Sequence, residues 1–132
     1  MKLMHFFITA IMVLTFAGIM NAQAVQSGKF EASSSSSDYT LDKGTGDRSY
    51  TIQVKFATPF ASKPDIIVSP GQIDANTKET NLRYKISYNG VNANGFSIVV
   101  NTWNDTKLFS VGGSWIAVGA GADAPKMAKK KK

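Results

Sequence analysis

A side-chain rhythm of two constrains this chain more than any other feature. In Tyr50-Thr51-Ile52-Gln53-Val54-Lys55-Phe56 every even position is apolar and every odd one polar. Side chains alternate across a pleated strand, so this pattern buries one face and wets the other. Leu82-Arg83-Tyr84-Lys85-Ile86-Ser87-Tyr88 repeats it, again with the even positions inward. Asp65 to Ser69 reads as a short apolar strand stopped by Pro70-Gly71. Phe96 to Asn101 is a β-branched strand, and Leu108 to Val111 and Ser114 to Val118 complete the set. Between the strands lie turn signals: Lys43 to Asp47, and the dipeptides Asn89-Gly90 and Asn94-Gly95, suited to positive φ. The serine run from Ser33 to Ser37 cannot bury apolar surface and predicts a flexible loop after a short first strand. No segment after residue 24 carries the period of a long amphipathic helix. The chain is therefore expected to be all-β, a sandwich or a barrel of about six short strands.

The N-terminus has a different character. Lys2 precedes an almost wholly apolar run from Leu3 to Met20, followed by Asn21-Ala22-Gln23-Ala24 with its A-x-A pattern. Charged start, apolar middle and small-residue end predict a secretory signal peptide over 1–24, with Val25 as the first mature residue. An uncleaved anchor is the alternative, disfavoured because no basic stop-transfer cluster follows the run. No Cys follows it either, so no lipoprotein anchor is expected. The mature chain suits one domain, over 25–120, and is expected to be secreted without inserting into membranes. Residues 121–132 lack apolar periodicity and predict a disordered, lysine-rich tail.

The net charge of +6 suggests a polyanion partner until it is located. Five of the 15 basic residues are Lys126 and Lys129 to Lys132, and one is Lys2. The nine that remain balance the nine acidic residues, so the domain is close to neutral and nucleic-acid binding is not expected. The only histidine is His5, and there is no cysteine. Ser–His and Cys–His catalysis and the usual zinc and copper sites are thereby removed, and no metal or cofactor is expected. Asp38, Asp42, Asp47, Asp65, Asp74, Glu79 and Asp105 fall mostly in loops, where acids commonly form turns, so a paired-carboxylate hydrolase is not expected. Asp74-Ala75-Asn76 lacks the spacing of a calcium loop.

Two features bear on binding. Asn101-Thr102-Trp103-Asn104-Asp105-Thr106 sets polar groups around a tryptophan at a strand end. An indole face stacks on sugar C–H bonds while planar polar side chains pair with hydroxyls. Arg83 lies on the polar face of an alternating strand, where its fork reaches adjacent hydroxyls. By composition alone both have plainer accounts, Trp103 as a plug at the core edge and Arg83 as an exposed cross-strand residue.

Taken in order, the motifs resemble the H-type lectins, the family of snail agglutinins and discoidin C-terminal domains. The resemblance runs from Val25-Gln26-Ser27-Gly28-Lys29, through Val54 to Phe60, Lys63 to Val68, Asn81-Leu82-Arg83 and Asn94-Gly95-Phe96, to Thr102 to Val111 and Ser114-Trp115-Ile116-Ala117. It implies a six-stranded antiparallel β-sandwich assembled as a homotrimer, binding terminal galactose or N-acetylgalactosamine near subunit boundaries without catalysis. By position it implies that Arg83 bonds sugar hydroxyls, that Trp103 is the site tryptophan, and that Phe109 is the pocket aromatic, where Tyr is common. Asn104 stands where the snail protein has histidine. A further aspartate is implied before the second strand, with Asp47 preferred over Asp42. Asn104 and Phe109 depart from the family pattern, and the loop around the serine run is rebuilt, so sugar binding is carried over more firmly than the N-acetylgalactosamine preference. The sequon Asn104-Asp105-Thr106 is expected to be unmodified, since a glycan there would block the site. A structural or adhesive sandwich that binds a protein partner is the competing reading.

Overall fold

The computed structural model describes residues 23–78 and 81–122. The expected signal segment and lysine tail lie outside these residues, apart from Gln23, Ala24, Gly121 and Ala122. Six strands follow one another: β1 (Gln23–Ser33), β2 (Arg48–Lys55), β3 (Asp65–Asn76), β4 (Tyr84–Asn92), β5 (Gly95–Thr102) and β6 (Lys107–Ala120). They form two three-stranded sheets, β1-β6-β3 and β2-β5-β4, with every pairing antiparallel. The described residues contain no helix, and hence none long and apolar enough to cross a membrane.

The sheets face each other across two joined apolar clusters. One holds Phe30, Phe56, Phe60, Ile66, Phe96, Ile98, Trp115 and Ala117. The other, nearer the loop end, holds Ala32, Tyr39, Leu41, Val100, Leu108 and Val111. The rhythm of two does what the pleat requires: on the central strand β5, Phe96, Ile98, Val100 and Thr102 are all buried, and Ile52 and Val54 of β2 pack against them. Each fully buried aliphatic side chain contributes about 1.5–3 kcal/mol.

Five local expectations need correction. The strand from Asp65 does not stop at Pro70-Gly71 but continues to Asn76, with a register shift between Pro70 and Gln72. β3 is an edge strand, and at an edge bulge a residue without an N–H breaks no ladder. The two short strands expected after residue 107 are one, because Gly112 and Gly113 keep pairing with β1 and β3. The first strand is not short, since eleven residues pair along β6. Asn89-Gly90 is a bulge within β4 rather than a hairpin turn, with Gly90 at φ 63°. Gly95 follows the actual β4–β5 turn and needs space, not a positive φ: a Cβ there would collide with the Val54 carbonyl.

Candidate functional site

Three connections meet at one end of the sandwich: residues 34–47 between β1 and β2, 77–83 between β3 and β4, and 103–106 between β5 and β6. The last of these is the anchor. Asn104 adopts φ 55°, a left-handed conformation that Asn tolerates because its short amide bonds locally. Its carbonyl accepts the Gly46 N–H at 2.9 Å. Thr102 and Thr106 are buried, and their hydroxyls are satisfied: Thr102 Oγ1 donates to the Arg83 carbonyl at 2.7 Å, and Thr106 Oγ1 accepts the Arg83 N–H at 3.1 Å. Two polar side chains inside the core thus fasten the 77–83 connection to the β5–β6 turn.

Two residues organise this end: Arg48, which no sequence motif singled out, and Asp105, which belongs to the polar motif around Trp103. The Arg48 guanidinium donates to the carbonyls of Leu41, Lys43, Gly44, Gly46, Asn104 and Thr106, at 2.7 to 3.3 Å. It closes the loop before β2 on itself and clamps it to the β5–β6 turn. Asp105, read from sequence as a loop acid and as one of the polar groups around Trp103, accepts the Thr77 hydroxyl at 3.2 Å and the Lys78 N–H at 2.7 Å, and pairs with Arg83 Nη1 at 3.6 Å. Arg48 reaches main-chain atoms, and Asp105 meets partners more than 20 residues away, so neither fastening role left a local pattern to find.

The expected site residues divide as follows. Arg83 precedes β4 rather than lying on it, and its guanidinium is held by Asp105 and by the Asn81 carbonyl at 3.4 Å. Trp103 is 37% exposed, past the end of β5. Asn104 and Asp47 are exposed. Asp47 sits between Gly46 and Arg48, both bonded to the Asn104 carbonyl, so these four residues share one end of the molecule. Asp42 differs: its Oδ1 is buried with no hydrogen-bond partner. Burial, followed by the charge of Asp42 and by Tyr50, pushes the Tyr39 phenol up to about 12, while its hydroxyl donates to the Leu108 carbonyl at 3.0 Å. Of the two acids, Asp47 is the more open to solvent.

Phe109 stands apart. It is the extra residue in β6 where pairing passes from Asp74↔Ser110 to Ala75↔Leu108, and such a bulge re-aims a side chain. Phe109 is 38% exposed, and its carbonyl accepts the Ser34 N–H of the serine loop at 2.9 Å. No hydrogen bond or ring contact among the described residues ties it to the other four.

Among the described residues, two depressions bear on ligand binding. A cleft of about 300 Å³ adjoins the convergent end and is lined by Gly44, Thr45, Asn76, Thr77, Lys78, Asp105 and Lys107. A wider groove of about 560 Å³ lies over sheet β1-β6-β3, with Lys29, Glu31, Ser69, Gln72 and Ser114 beside Gly112 and Gly113. Neither lining includes Arg83, Trp103, Asn104, Asp47 or Phe109, but the smaller cleft is lined by Asp105, which pairs with Arg83, and so adjoins the expected site residues. Among the described residues no three His, Cys, Asp or Glu side chains cluster as metal ligands.

Comparison with known proteins bears on the family and the fold. The sequence profile of the H-type lectin domain matches residues 51–118. The product of ATP synthase subunits region ORF 7 of Fuscovulum blasticum is 36% identical over 80 residues, covering 61% of this chain and 69% of that protein. Discoidin-2 of Dictyostelium discoideum is 27% identical over 81 residues, 61% of this chain but 32% of its own length. The structure of recombinant discoidin II from the same organism superposes with a TM-score of 0.68 at 24% identity, covering 77% of this chain and 40% of that one. This last likeness concerns the fold.

Proposed function

The chain belongs to the H-type lectin domain family, and from that premise we propose that it is a secreted, non-enzymatic lectin binding terminal galactose or N-acetylgalactosamine. The observation that carries the reading is the convergence of Arg83, Trp103, Asn104 and Asp47 at one end of the sandwich, with the Arg83 fork held by Asp105. A planar guanidinium held in place presents a fork of donors whose geometry suits a pair of adjacent hydroxyls. The exposed Trp103 ring offers the apolar face of a sugar its stacking surface. Asp47 serves as the acceptor for hydroxyl protons, in preference to Asp42. Phe109 joins this site only if a neighbouring subunit or a larger glycan bridges to it.

The assembly in this reading is a homotrimer. Val25, Ile67 and Ile116 are 62%, 61% and 40% exposed, and Ile67 pairs directly with Ile116 in the ladder. An apolar row on the outer face of a three-stranded sheet marks a surface that another chain covers. Three weak sites on one assembly would gain avidity for dense glycans, as an agglutinin or adhesin requires.

The test is a glycan array probed with the full chain and with Arg83→Ala, each checked for folding by circular dichroism. Binding to terminal galactose or N-acetylgalactosamine that drops at least tenfold in the variant supports the reading. Silence from the folded wild type defeats it and favours a sandwich that binds a protein partner.

A further inference from the structure

We propose that the cleft beside Asp105 takes an anionic substituent, so that the preferred ligand is an acidic sugar, a galactoside bearing a sulfate ester or a carboxylate. The proposal deepens the sugar-binding reading and rests on it. Its basis is a local charge imbalance in a domain that is near neutral. Among the described residues, Lys78 and Lys107 line the cleft with a single acid, Asp105. The charge of Asp105 is already engaged. Arg83 Nη1 lies 3.6 Å from one of its oxygens, and the Thr77 hydroxyl and the Lys78 N–H donate to the carboxylate. Neither lysine ammonium has an ion-pair partner among the described residues.

Position makes the imbalance useful. Asp105 follows Asn104 and pairs with Arg83, so the cleft opens directly beside the proposed sugar contacts. Gly44 and Thr45, which also line it, belong to the same loop as Asp47. The rest of the lining is polar: Thr45, Asn76 and Thr77 supply hydroxyl and amide groups. An ammonium is a compact charge on a flexible stem, able to follow a sulfate or carboxylate rather than demand one geometry. The Arg83 fork and Trp103 would hold the ring while Lys78 and Lys107 hold the acidic group. Each exposed pair contributes a few-fold at most, so the two together predict a preference of about fivefold over the neutral sugar.

The experiment is an NMR titration of the full chain with monovalent ligands, which avoids avidity. The ligands are methyl galactoside, its 6-sulfate ester, methyl galacturonate and a heparin fragment. The expected result is about fivefold tighter binding of the sulfated or the carboxylated sugar than of methyl galactoside, with the two acidic arms showing which anion is preferred. That difference should vanish in Lys78→Gln/Lys107→Gln and shrink at high salt. Equal affinity for neutral and acidic galactosides would overturn the proposal and leave the lectin reading standing. Heparin binding as tight as that of the acidic galactosides would also overturn it, by showing unspecific polyanion attraction. No binding of any galactoside would remove both readings together.

Discussion

Replacing Arg48 with Met would keep the aliphatic stem and delete the clamp. Six carbonyls lose a donor, but their losses are unequal. The bonds to Lys43, Gly44, Gly46 and Asn104 are exposed, so water replaces the guanidinium there at little cost. The other two are part-buried. Leu41 O, at 3.3 Å, keeps the Leu108 N–H as a second donor. Thr106 O, at 2.8 Å, retains only the long 3.3 Å bond from Thr102 Oγ1. One strong charge-assisted bond and one weak one are therefore lost without full replacement, which amounts to about 2–3 kcal/mol. For a domain of this size the melting temperature should fall by about 10–20 °C. Thermal and urea unfolding of wild type, Arg48→Met and Arg48→Lys would measure it. The lysine variant should recover less than half, because a single ammonium cannot reach carbonyls on both connections. A loss below about 0.5 kcal/mol, or full rescue by lysine, would refute the view that Arg48 fastens the loop before β2 to the β5–β6 turn.

The remaining predictions concern other parts of the molecule. Gly95→Ala should destabilise by about 3 kcal/mol, because the new methyl meets the Val54 carbonyl, which β-ladder pairing holds in place; an unchanged urea midpoint would show that the approach is not close. The Tyr39 phenol is raised from 10.0 to about 12, so the fold favours its neutral form. That contribution is complete below pH 10 and is lost as pH rises through about 12; stability should fall more steeply over this window in wild type than in Tyr39→Phe, and parallel urea-midpoint curves would contradict it. Ile67→Lys/Ile116→Lys should convert the proposed trimer to a folded monomer in light scattering, and a trimer that survives both lysines would place the interface elsewhere.

Legibility in this sequence followed the range of the interactions. Tyr50 to Phe56 declared its inward face because a pleat turns every second side chain the same way, whatever lies opposite. Pro70 misled because its effect depends on whether the strand is central or at an edge, and only the order β1-β6-β3 shows that it is at an edge. The serine run marked a loop but not its docking through Ser34 to Phe109. Arg83 and Trp103 were legible as residue types in a family pattern. Which acid faces solvent was not, since Asp42 and Asp47 lie five residues apart in one loop and differ only in what folds over them.

The sequence by itself determined the all-β class, the buried faces of β2 and β5, and the absence of cysteine and histidine chemistry beyond residue 24. Those properties depend on composition and on a period of two, both written locally. The tertiary structure alone decided that three distant connections meet, that Arg48 and Asp105 bind them together, and that two lysines without ion-pair partners among the described residues flank the same cleft as Asp105. Those properties arise from strand register and sheet order, which bring together residues far apart in the chain, Arg48 and Thr106 being 58 positions apart, and so leave no mark on any short stretch of it.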